Sequence, residues 1–153
     1  MEKKMFLLHL EYDSNRLPML LKKDLGFSPY ISQPEDAVKI LEEHFAPSRQ
    51  PEEHVYALFI DSDGAVRGIA ETSGGSSNGC VFNTRGIYTR ALLCNTPSVL
   101  CAHNHPSGSV KPSDIDIETF HRFKEGAKYV ELNVVDNLII GNGFFSFKEE
   151  GIA

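Results

Sequence analysis

The densest cluster of chemistry-bearing residues is the run Ala102-His103-Asn104-His105-Pro106-Ser107-Gly108, followed by Pro112-Ser113-Asp114-Ile115-Asp116. His103 and His105 stand two apart. At the end of a strand, residues two apart leave the same face, so two imidazoles are presented together. Such a pair suits a divalent metal, with zinc the default for a nitrogen-rich site. The Pro-Ser-Gly turn lets the chain leave the strand at once and return as a helix beginning near Ser113. Asp116 then falls in the first turn of that helix, facing back toward the strand end as a third ligand. Three protein donors leave one position to water, the arrangement of catalytic rather than structural zinc sites, and the metal lowers the pKa of that water toward ~7. A general base is then needed. Glu71 is a candidate, because it ends a strand and opens a Gly/Ser-rich loop, where folds of this class place their chemistry.

Each of these residues has a plainer reading beside the chemical one. Ser113-x-x-Asp116 also fits a helix capping box with Asp in the place of Glu or Gln. A single histidine at a strand end is commonly a hydrogen-bonded packing residue, and Glu71 also reads as a solvated acid. His9, His44, His54 and His121 are isolated in sequence. Cys80, Cys94 and Cys101 show no CxxC spacing and read as reduced thiols acting as small hydrophobes. A zinc deaminase would need His-x-Glu and Pro-Cys-x-x-Cys, and a metalloprotease helix would need HExxH; neither occurs. Residues 103–105 spell His-Asn-His, but three adjacent residues do not reproduce a nuclease motif whose members are well separated.

The elements that must position this cluster follow from pattern. Residues 5–12 form an apolar, β-compatible run, and residues 13–30, with Pro18, Gly26 and Pro29, read as an irregular arm with at most a turn or two of helix. Ser32-Gln33-Pro34-Glu35 opens a helix whose apolar positions Ala37, Ile40, Leu41 and Phe45 run to Pro47. Residues 48–53 form a polar loop. Residues 54–60 and 65–70 flank Asp61-Ser62-Asp63-Gly64 as a β-hairpin. The segment 73–79 is a loop. A helix capped by Asn83 or Thr84 runs to about Cys94. A short strand over 98–102 delivers His103, a helix spans 113–128, and strands over 131–140 and 144–148 meet at Gly141-Asn142-Gly143. Helices alternating with apolar strands give an α/β protein with a mixed sheet.

Composition bounds the rest. The chain has 153 residues, 41% of them hydrophobic and 24% charged, which suits one globular domain with a core of its own. No apolar run reaches the ~20 residues of a membrane span, and the start lacks a signal peptide's apolar stretch, so a cytoplasmic protein is expected. Fifteen Lys and Arg against 21 Asp and Glu give a net charge of −6, the opposite of a basic nucleic-acid footprint, so direct nucleic-acid binding is not expected.

His103-x-His105-Pro106, six residues, Ser113, two residues, Asp116 resembles the JAMM metalloprotease motif of MPN domains without a gap. The surrounding AHNHPSG, and LIIGNGFFSFKEEGI near the end, resemble the bacterial RadC-like branch. The resemblance covers about residues 31–153 and leaves 1–30 as an N-terminal arm or cover strand. It implies an MPN fold, a twisted mixed sheet flanked by helices, with zinc at a strand–helix junction. It implies that His103, His105 and Asp116 hold the metal, that Glu71 is the general acid/base and that Ser113 helps stabilise the oxyanion. The implied activity is hydrolysis of an amide, peptide or isopeptide bond by a Glu71-activated, zinc-bound water. The alternative is a non-enzymatic module, serving DNA-repair or mobile-element machinery through protein contacts around a bound zinc. The chain departs from the family pattern at Gly75-Ser76-Ser77 (for Gly-Thr-Leu), at Thr84-Arg85-Gly86 (for Pro-Arg-Glu) and at Asp136-Asn137 (for Asp-His). Residues 1–30 do not resemble the helix-hairpin-helix segment that usually precedes such domains.

Overall fold

The computed structural model of the chain describes residues 2–75 and 82–152. In chain order its elements are β1 (Lys4–Tyr12), β2 (Pro18–Phe27), α1 (Pro34–Phe45), β3 (His54–Ile60), β4 (Val66–Gly74), α2 (Thr84–Cys94), β5 (Ser98–Asn104), α3 (Asp114–Tyr129), β6 (Asn133–Gly141) and β7 (Gly143–Ser146). The strands form one mixed sheet in the order β2-β1-β4-β3-β5-β6-β7. Two neighbouring pairs, β1 with β4 and β5 with β6, are parallel; the others are antiparallel. This is the α/β architecture expected, and no helix among the described residues is long and apolar enough to cross a membrane.

Strand periodicity splits the core into two faces. Tyr56, Leu58, Ile60, Leu100, Ala102, Leu138 and Ile140 point to the face covered by α1, which contributes Ala37, Ile40 and Leu41. Val99 and Cys101 of β5, with Ala57 and Phe59 of β3, point to the other face, covered by Ile87 and Ala91 of α2 and by Phe123 and Ala127 of α3. The strands β3 and β5 are buried on both sides, which is why both read as nearly unbroken apolar runs. His103 therefore emerges on the α2–α3 face, one alternation beyond Cys101.

The N-terminal segment differs from expectation. Residues 18–27 are not an irregular arm but β2, paired with β1 through a turn in which Asp13 Oδ1 accepts from the backbone N–H groups of Asn15 and Leu17. β1 joins the main sheet beside β4, so the hairpin extends the sheet. Ser73 and Gly74, read as loop, end β4. Residues 76–79 of that loop, with Ser76 and Ser77, lie outside the described residues, as does Cys80.

The crossover from β5 through α3 to β6 carries the motif, and two glycines let it close. Gly108 adopts φ +86°, a left-handed conformation that suits glycine. Its N–H donates to His105 O at 2.9 Å, and its carbonyl accepts from Asn142 N at 2.7 Å. Gly141 packs so closely that a Cβ there would lie 2.5 Å from Gly108 O. The turn after His105 is thus pinned onto the end of β6. Replacing Gly141 by Ala is expected to destabilise the chain by about 1–3 kcal/mol, the cost of overpacking a rigid contact. A denaturant midpoint unchanged from wild type would contradict this.

Candidate metal centre

The strand–helix junction brings His103, His105 and Asp116 together, and a fourth donor, Glu53, joins them: one ligand atom from each lies within 4.8 Å of the others. His103 Nε2 and His105 Nε2 are 3.2 Å apart. Asp116 Oδ1 lies 3.3 Å from His103 Nε2, and Asp116 Oδ2 lies 3.2 Å from His105 Nε2. Zinc–nitrogen and zinc–oxygen distances of ~2.0–2.1 Å imply tetrahedral edges of ~3.3–3.4 Å, close to these separations. Glu53 Oε1 stands farther out, 4.0 Å from His103 Nε2. The donor set, two imidazoles and carboxylates, is one that zinc accepts.

Neighbouring hydrogen bonds aim these side chains. His105 Nδ1 lies 2.9 Å from the carbonyl of Ser109. A carbonyl only accepts, so Nδ1 carries the proton and the neutral ring turns the Nε2 lone pair toward the cluster. Asp116 makes two sets of contacts at once, to the imidazoles and to the helix start. Ser113 Oγ accepts from Asp116 N at 3.0 Å, and Asp116 Oδ2 accepts from Ser113 N at 2.8 Å, a full capping box. The cap and ligand readings of this pair are therefore not alternatives: the cap fixes the carboxylate that faces the imidazoles.

Electrostatics follow from this packing. Burial would raise the Asp116 carboxyl, but the hydrogen bonds to His103 and His105 outweigh it and hold the group well below the usual carboxylate range. The hydrogen bond to Asp116 raises His105, with burial opposing. Ser113 is exposed, and its hydroxyl, used as an acceptor by the cap, keeps its own proton to donate.

Glu71 lies apart from this cluster. It lies opposite Tyr56 in the β3–β4 pairing, whereas His103 lies opposite Val55 in the β3–β5 pairing. Tyr56 and Val55 are adjacent in one strand, so their partners leave opposite faces. Glu71 emerges on the α1 face, where its Oε1 lies 2.9 Å from His54 Nδ1. It is not part of the donor cluster. Glu53, one residue before β3, shares the parity of Val55 and falls on the imidazole face. Asn104, between the two histidines, secures it: Asn104 Oδ1 accepts from His54 N at 2.7 Å, and Asn104 Nδ2 donates to Glu52 O at 2.9 Å. Both neighbours of Glu53 are thereby tied to the end of β5. The available signal was the pairing of two apolar runs, since antiparallel strands put the start of one beside the end of the other.

Beside the donors opens a cleft of about 320 Å³, bordered by Glu53, His103 and Asp116 and by Val55, Phe120 and Asn137. Asn137, noted in the sequence as a departure, is thus a wall of the site.

Residues 31–152 match the family model described as the RadC-like JAB domain. The chain is 32% identical over 123 residues to a UPF0758 protein of Clostridium acetobutylicum, covering 80% of this chain and 53% of that protein. It is 35% identical over 124 residues to a UPF0758 protein of Shouchella clausii, with 80% and 53% covered. To one from Methanococcoides burtonii it is 38% identical over 100 residues, with 65% and 44% covered. The chain spans about half the length of the curated relatives it matches. With its mixed sheet and its histidine–carboxylate cluster at a strand–helix junction, the chain belongs to the RadC-like JAB domain family.

Proposed function

We propose that the chain is a zinc-dependent hydrolase of amide or peptide-like bonds, with His103, His105 and Asp116 holding the ion and Glu53 as general acid/base. The observation that carries this is the uneven donor spacing. Three residues face one another at 3.2–3.3 Å, while Glu53 stands 4.0 Å from His103 Nε2. That leaves a carboxylate beside the triad rather than within it, where a base belongs. Zinc held there supplies Lewis acidity that polarises a carbonyl and acidifies water. Glu53, with its side chain only 19% exposed, takes a proton from water onto Oε1 and returns it to the departing amide nitrogen. Ser113, whose hydroxyl keeps a proton free of the cap, is the proposed donor to the developing oxyanion, a role that hydrogen-bond donors fill in acyl transfer.

A second reading has one observation behind it: Glu53 lies within the same 4.8 Å group. Four protein donors would close the tetrahedron, as structural zinc sites do, and the domain would then serve as an interaction module.

His103→Ala is expected to abolish near-stoichiometric zinc binding measured by metal analysis after dialysis, and equal zinc content in both proteins would refute the ligand assignment. Because protons compete for the same nitrogens and Asp116 raises His105, zinc affinity should weaken as pH falls toward and below neutrality. Glu53→Gln should keep the zinc and lower hydrolysis of a peptide-library substrate by about 100-fold or more, the scale of general acid–base catalysis. Glu71→Gln should leave both unchanged; the reverse pattern would move the base to Glu71. Chelation separates the two readings: a chain that keeps its far-ultraviolet circular dichroism without metal has a catalytic ion, and one that unfolds has a structural one.

A further inference from the structure

The cleft beside the metal donors carries opposite charges in different places. Glu53 and Asp116 border it at the metal centre, and Arg122 is the one lysine or arginine among the described residues that line it. Ile115, Thr119 and Arg122 stand at i, i+4 and i+7 of α3, so they form a single stripe along that helix. At about 1.5 Å of rise per residue, Arg122 lies ~9 Å along the axis from Asp116. Helical side chains lean toward the N-terminus, which turns the guanidinium back toward the donors.

The fold makes little use of Arg122. Its side chain is 81% exposed, and Nη2 donates to Glu118 Oε1 at 3.2 Å. An exposed i,i+4 pair of this kind contributes little to stability and is easily exchanged. A guanidinium offers five N–H donors in a planar fork that matches a carboxylate, and among the described residues no second carboxylate pairs with it. The chain as a whole carries a net charge of −6, which repels an anionic ligand. A lone, accessible cation on the wall of the cleft is therefore the feature that selects a negative group at that point.

We infer that Arg122 is a specificity residue that takes a carboxylate of the substrate at the far end of this cleft. The inference rests on the hydrolase reading, because the distance is counted from the bond presented to the metal centre. An extended peptide advances about 3.3 Å per residue, so the carboxylate belongs about two to three residues from that bond. A chain terminus and an acidic side chain both supply such a group. Arg122 touches the substrate there, away from the reacting atoms.

The test uses the full chain with zinc removed, so that a carboxylate gains nothing by coordinating the ion. Three probes are titrated and followed by NMR at the Ile115 and Thr119 methyl groups: N-acetyl-trialanine with a free terminal carboxylate, its C-terminal amide, and N-acetyl-Ala-Ala-Asp amide. At least one carboxylate probe is expected to bind about fivefold more tightly than the neutral amide, the scale of a well-placed exposed ion pair. The tighter of the two identifies a terminus or an acidic side chain as the group that is read. Arg122→Gln, which keeps a good helix former, should lose the preference and bind the neutral amide as before. Glu118→Gln, which frees the guanidinium, should widen the preference about twofold. A purely helix-stabilising role would shift Tm in these variants and leave the order of the probes untouched. Equal binding of all three probes, absence of binding, a preference that survives Arg122→Gln, or one that Glu118→Gln does not widen would each overturn the inference. A preference found in a chain that cleaves no peptide when loaded with zinc would sink the hydrolase reading and leave the carboxylate site standing; cleavage without any preference would do the reverse.

Discussion

The antiparallel lock between β3 and β5 decides what chemistry this chain can present. Val55 lies opposite His103, so whatever precedes Val55 by two residues shares its face. That residue is Glu53. Asn104, 1% exposed, bonds to the backbone on both sides of Glu53 and holds the entry of β3 against the exit of β5. Two hydrogen bonds to backbone groups, each worth about 1 kcal/mol net and more costly to leave unmade when buried, keep the register from fraying where the donors meet. The residue between the histidines is therefore no spacer. While His103 and His105 turn toward the donor cluster, the alternation of the strand turns Asn104 to the opposite side, where it bonds to the backbone of Glu52 and His54.

The cluster makes electrostatic sense around a cation. Asp116 and Glu53 bring two carboxylates to the same pair of imidazoles, with side-chain exposures of 15% and 19%. Like charges at such range, partly removed from water, repel. Imidazolium formation relieves this in part, and Asp116 accordingly raises His105. A divalent ion bound there would offset the charge of both carboxylates. The concentration of donors that could hold one is a property of the folded chain, assembled from segments as distant as Glu53 and Asp116.

What the sequence disclosed and what it concealed divide along range. His103, His105 and Asp116 were legible because strand alternation, a tight turn and a helix start are all local patterns. Glu53 was concealed because its relevance depends on a pairing between strands about fifty residues apart in sequence, and no local pattern states a register. Glu71 had the right residue type at the end of the right kind of strand, but one step of parity separated it from the site. The hairpin strand β2 escaped notice for another reason. It is an edge strand with Pro18 at its start and Lys22, Lys23 and Asp24 in its middle, residues that sheets tolerate at edges and use there to discourage further pairing. Its pattern speaks of solvent, not of a core.

Asp116 shows how the fold prepares the site in advance of any ion. A ligand carboxylate on a loop would be ordered only by the metal, at a cost in side-chain entropy of up to ~2 kcal/mol. Here Asp116 sits at the third position of α3, where the N-terminal dipole favours a negative charge and the Ser113 N–H already holds one of its oxygens. His105 is likewise oriented by the Ser109 carbonyl, and the turn that bears it is pinned through Gly108 to β6. The three core clusters that hold these elements are built of apolar side chains and draw on none of the four donors. The sheet and its helices therefore have their own reason to fold, and the donors are delivered already converged.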